Sequence, residues 1–170
     1  MSALFNSILK LLTEDGMKFK TLDGQETVFL KIESDPVGLD VYIRVQNKRV
    51  AVLNAFLPVK IAKSALSRVL MRINQENAES LIGYLYVDVD DMCLCSQASS
   101  LVVRGGISAE LFETLMFASI GRISSISSDI LKLAFSSGDD DDGDDDDDDD
   151  DDDTSWVSIL DSNNSQGHVN

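Results

Sequence analysis

Apolar residues recur along this chain at two different periods. Over residues 3–14, Leu4, Ile8, Leu11 and Leu12 fall on one stripe at helical spacing, with Phe5 and Leu9 beside it. This predicts an amphipathic helix, stopped by Asp15-Gly16. A loose connector, MKFKTLDGQ, comes next, and then the period falls to two. Val28, Leu30 and Ile32 share one face of a strand that Asp35-Pro36 breaks. Leu39, Val41, Ile43 and Val45 alternate with Asp40, Tyr42, Arg44 and Gln46, the signature of a half-buried strand. Gln46-Asn47-Lys48 turns the chain into Arg49–Phe56, which is apolar on nearly both faces and is expected to be the most central of the three strands. Together they read as a meander with one face buried and the other partly wet.

Pro58 is expected to end the third strand and to open a helix over about residues 60–76. Ile61, Ala65, Leu66, Val69, Leu70 and Ile73 make its apolar face. Leu81–Val89 alternates again, Asp90-Asp91 turns, and Met92–Gln97 returns. Leu101–Arg104 keeps the extended character until Gly105-Gly106. Ser108 is positioned to cap a last helical region reaching about Phe135, with Leu111, Phe112, Leu115, Met116, Ile120, Ile123, Ile126, Ile130 and Leu133 as its stripe. Gly121 and the serines at 124, 125, 127 and 128 are expected to bend or interrupt it. The order α-β-β-β-α-β-β-α, without internal repeats, predicts an α+β fold with an antiparallel sheet flanked by helices.

Charge divides the chain sharply. The formal net charge is −16, yet 15 of the 30 acids lie beyond residue 138, where there is no Lys or Arg, so residues 1–138 carry 15 acids against 14 bases. The folded domain is therefore expected to span 1–137, with 138–170 as a disordered acidic tail, because an aspartate run cannot bury enough apolar surface to offset its ordering entropy. The balanced body offers no basic surface for phosphate backbones, so direct nucleic-acid binding is not expected. No apolar run approaches the roughly 18 residues needed to span a bilayer. The first residues lack the basic segment and cleavage site of a signal peptide. Two cysteines, Cys93 and Cys95, sit two apart and read as reduced, packed thiols, which points to the cytoplasm.

Several segments together resemble a known family. A helix opening after Pro58 and ending in RINQEN (72–77) precedes the strand Gly83-Tyr84-Leu85-Tyr86-Val87-Asp88, and a hairpin leads from it to the I-S-x-E-L-F helix start at 107–112. In order and in residues this resembles the YbjN family of bacterial sensory transduction regulators, over about residues 3–135. The resemblance implies the fold of the type III secretion chaperones and a chaperone-like, usually dimeric interaction module without enzyme activity. It supplies no site residues.

Candidate chemistry is sparse. The only histidine, His168, lies in the tail, so the body has no imidazole for a catalytic triad or a histidine metal site. Phosphate-loop, dinucleotide and zinc-protease motifs are missing from the sequence, and no cofactor is expected. Asp88, Asp90 and Asp91 read as a hairpin turn, with a divalent-cation or small-molecule site, enzymatic or not, as the alternative. Asn74 and Asn77 are expected to cap the second helix, and Arg104-Gly105-Gly106 to be a strand-to-helix joint. Tyr42 and Arg44, on the wet strand face, are the body's candidates for contact with a protein partner, the plain alternative being a solvated face. In the tail, Trp156, Val157, Ile159 and Leu160 follow the aspartates as apolar anchors. They suggest a docking peptide, acting in cis as a cover or in trans on a basic partner; the plain alternative is a solubility tail. The sequence-level expectation is a non-enzymatic, homodimeric protein-interaction module.

Overall fold

The computed structural model describes residues 1–103 and 105–135. Helix α1 (Ala3–Glu14) is followed by strands β1 (Phe19–Thr21), β2 (Thr27–Ile32), β3 (Leu39–Gln46) and β4 (Val50–Lys60). Helix α2 (Leu66–Ala78), strands β5 (Tyr84–Asp88) and β6 (Cys93–Leu101), and a last helical region complete the order. That region consists of α3 (Ala109–Met116), a π turn (Phe117–Gly121) and α4 (Arg122–Phe135). The strands form one sheet, β1-β2-β3-β4-β6-β5, antiparallel at every pairing. The fold is thus α+β with helices against an antiparallel sheet. The acidic tail, with Trp156, Val157, Ile159 and Leu160, lies outside the described residues, as does Arg104.

Local sequence explains most boundaries. Ser2 and Ser108 cap α1 and α3 by accepting the N–H groups of Phe5 and Leu111, each at 3.2 Å. Strand β3 buries Leu39, Val41, Ile43 and Val45 and turns Tyr42, Arg44 and Gln46 outward, as its alternation requires. Strand β4 takes the central place, between β3 and β6. The four helices among the described residues all contribute to one core cluster with one face of this sheet: Leu4, Phe5 and Ile8 from α1, Val69 and Ile73 from α2, Phe112 and Leu115 from α3, and Ile126 and Ile130 from α4. Their partners on the sheet include Val28, Leu30, Val41, Ile43, Leu53, Leu85 and Leu94.

Several expectations about the elements need correction. The connector at 17–25 contains β1, a three-residue edge strand pairing Phe19–Thr21 with Val28–Leu30. Pro58 does not end its strand: β4 runs on to Lys60 through a register shift against β6 between Phe56 and Lys60, a place where the ladder needs no N–H from residue 58. Helix α2 therefore begins later, at Leu66, after a 3₁₀ turn over Lys63–Ala65. Finally, the last helical region is interrupted at Gly121, as expected, but the serine cluster lies inside the unbroken α4. The region widens ahead of α4 into the π turn, whose Gly121 sits against the Phe117 ring: a Cβ there would be 3.2 Å from a ring carbon.

Candidate partner-binding face

With the helices gathered on one side, the other face of the sheet stays uncovered by helix among the described residues. Register aligns its side chains in two ladders, each five strands wide. In the first, Phe29, Tyr42, Asn54, Gln97 and Tyr84 stand side by side across β2, β3, β4, β6 and β5. In the second, one pleat along, the order is Lys31, Asp40, Phe56, Cys95 and Tyr86. All three tyrosines of the chain and two of its seven phenylalanines therefore share this face.

The rings are organised among themselves. Phe29 and Tyr42 have centroids 5.0 Å apart, Tyr42 meets Phe56 edge-on at 5.6 Å, and Tyr84 lies 5.7 Å from Tyr86. None of the five belongs to the core cluster. Tyr42 keeps 36% of its surface exposed and Tyr84 48%. The outward positions that sequence singled out, Tyr42 and Arg44, are both here and both exposed. Alternation alone did not reveal that Phe29, Phe56, Tyr84 and Tyr86 join Tyr42. The available signal was that aromatics occupy the polar phase of successive strands.

Where the two ladders meet the β4 bulge, a cleft of about 570 Å³ opens. Tyr42, Phe56, Pro58, Val59 and Cys93 line it, with Asp40, Lys60, Asp88 and Asp91 around them. The Asp40 carboxylate is 3.3 Å from the Lys31 ammonium. Asp88 serves its own hairpin first: its Oδ1 accepts the N–H groups of Asp90 at 3.0 Å and Asp91 at 3.2 Å, so the sequence Asp88-Val89-Asp90-Asp91 makes the expected turn. Among the described residues no three metal-ligating side chains come together.

The thiols of Cys93 and Cys95 point to this same face and are buried, with sulfurs 3.7 Å apart and no disulfide between them. Burial raises both thiols above their ordinary value, so neither is a ready nucleophile at neutral pH. Burial, aided by contact with Cys95, likewise raises the Tyr86 phenol to about 12.

Other residues singled out from sequence serve the architecture. Asn77 does not cap α2, which runs on to Ala78 and ends on Glu79; its amide is bound to the backbone of Leu85. Gly105 takes φ +70, and Gly106 backs onto Ser7 so closely that a Cβ would be 2.5 Å from that side chain. Ser7 Oγ accepts the Ile107 N–H at 2.9 Å, which ties the joint to α1. No helix among the described residues is long and apolar enough to cross a membrane.

Comparison with known proteins agrees with this architecture. The chain is similar over 72% of its length to YbjN from E. coli, with 20% identity, a TM-score of 0.53 and 86% of that chain covered. It is also similar to a chain of the heterodimeric ExoU-SpcU complex from the type III secretion system of Pseudomonas aeruginosa. There the identity is 11% and the TM-score 0.50, over 75% of this chain and 98% of that one. No curated protein matches the sequence. The family model described as "YbjN: Putative bacterial sensory transduction regulator" matches residues 5–131. The chain belongs to the YbjN family.

Proposed function

We propose that this protein is a non-enzymatic interaction module of the cytoplasm, which receives a segment of a protein partner on the helix-free face of its sheet. The observation that carries this reading is the gathering of Tyr42, Tyr84, Tyr86, Phe29 and Phe56 on that face, outside the core. Large rings that fold into no core contribute free energy by being covered, and tyrosine is the residue type that interfaces favour. Likeness to a chain of a heterodimeric secretion complex supports a protein as the occupant. The site offers no activated nucleophile, since its thiols are held protonated by burial.

Self-association is part of this proposal. Phe117 and Phe135, on the last helical region, remain 78% and 70% exposed, and a second copy covering them would form a homodimer. Light scattering at tens of micromolar that gives the monomer mass would refute that part. In the tail, Trp156, Val157, Ile159 and Leu160 act as a docking tip, with the aspartates steering basic partners toward the molecule. Affinity capture from native lysate tests the whole reading. The double variant Tyr42→Ala plus Arg44→Ala should fold normally and lose partners that the wild type retains. Unchanged capture by it would overturn the role of the sheet face. Unchanged capture by Trp156→Ala plus Ile159→Ala would reduce the tail to a solubilising segment.

A further inference from the structure

We infer that the cleft at the β4 bulge seats a cationic side chain, an arginine within an apolar stretch of the partner segment. This rests on the sheet face being the partner-binding surface, and it names what the partner must carry there. Three features converge on a guanidinium. Phe56 and Tyr42 give the cleft aromatic walls, set edge to face at 5.6 Å, and the face of either ring attracts a cation. The rim holds three carboxylates, Asp40, Asp88 and Asp91, against one ammonium, Lys60. Of the three, Asp40 is already answered by Lys31, whereas Asp88 and Asp91 pair with no cation among the described residues. Asp88 is half-buried and fixed by its own turn, so it is pre-oriented for an incoming donor.

A planar, apolar-faced and always charged group fits these surroundings better than a lysine ammonium does. It can stack on a ring while its edge meets a carboxylate. Pro58 and Val59 on the same walls suit aliphatic residues to either side of it.

The test uses the full-length protein and three hexapeptides titrated in NMR experiments: acetyl-Gly-Leu-Arg-Val-Leu-Gly-amide, and the same peptide with citrulline or norleucine in place of arginine. Citrulline keeps the shape and most donors of arginine but not its charge. The arginine peptide should shift the backbone amides of Phe56, Lys60 and Cys93, and the citrulline peptide should bind about tenfold more weakly. Asp88→Asn plus Asp91→Asn should erase that preference, and it leaves the turn intact, since asparagine presents the same acceptor to both N–H groups. Asp91→Asn alone, at an exposed position, should reduce the preference if the double variant fails to fold. If all three peptides bind the face equally, the cation site is refuted and the partner-binding face stands. If the arginine preference survives in the variants, the charge is read elsewhere and the inference falls. If no peptide shifts any amide of the face, the inference and the proposed function fall together.

Discussion

The side-chain amide of Asn77 pairs with the backbone of Leu85 in both directions, Nδ2 donating to the carbonyl at 2.8 Å and Oδ1 accepting the N–H at 2.8 Å. Strand β5 is an edge of the sheet, and an unoccupied edge invites another strand. Asn77 fills the hydrogen-bonding positions a further strand would use at Leu85, and it does so from α2. One side chain thereby joins helix to sheet and shields the edge.

Asn77→Ala should therefore cost about 1–2 kcal/mol, the penalty for leaving a part-buried donor and acceptor of Leu85 unmet. Urea unfolding measures the loss. Hydrogen exchange should rise at the Leu85 amide well before it rises at the central strand β4.

Gly83 should tolerate no side chain. It has φ +74, and a Cβ there would come within 3.0 Å of the Ala118 carbonyl and 3.1 Å of the Gln97 carbonyl, both backbone atoms. Gly83→Ala combines left-handed strain with a clash against the π turn and should lower stability by about 1–3 kcal/mol in urea unfolding.

The one-sided core makes a contrast between two aromatic positions. Phe112 is 1% exposed inside the core cluster, so Phe112→Ala should cost about 3–5 kcal/mol. Tyr42→Ala, on the uncovered face, should cost about 1 kcal/mol or less, with the fold retained. Comparable losses at both sites would mean that the outer face is also a packed interior.

Alkaline pH should destabilise the protein through Tyr86 and Cys95. Tyr86 is raised from 10.0 to about 12, and Cys95 is raised from 9.0, both chiefly by burial. The native state holds these protons more tightly than the unfolded chain does. The stability they contribute is full below the unfolded values, declines once pH passes 9.0 for the thiol and 10.0 for the phenol, and for Tyr86 is gone above about 12. The urea midpoint should fall across this range, and Tyr86→Phe should flatten the fall between pH 10 and 12 (its bounds set by the phenol).

How far these features were legible in sequence depended on how local their cause is. Strand β3 needed only its own eight residues to declare which side chains face the core, and Tyr42 and Arg44 came out exposed as read. Strand β1 has three residues between two glycine turns, too few to show a period, and its existence depends on β2 beside it. Asn77 looked like a helix cap because its partner, eight residues on, becomes a neighbour only when β5 folds back against α2. The aromatic ladders require the register of five strands at once, which no single segment encodes. The π turn left a single mark, Gly121 at its end, while the apolar stripe continues through it and hides the turn's start and its width.

The grouping of every tyrosine on one side of the sheet has an optical consequence. The single tryptophan, Trp156, lies beyond the described residues, after the aspartates in the sequence. The two chromophores are thus assigned to different parts of the chain by position alone. Phenol emission reports the sheet surface that Tyr42, Tyr84 and Tyr86 share, and indole emission reports the tail. Following the two colours separately, with no label attached to the protein, would show which of the two regions a ligand affects.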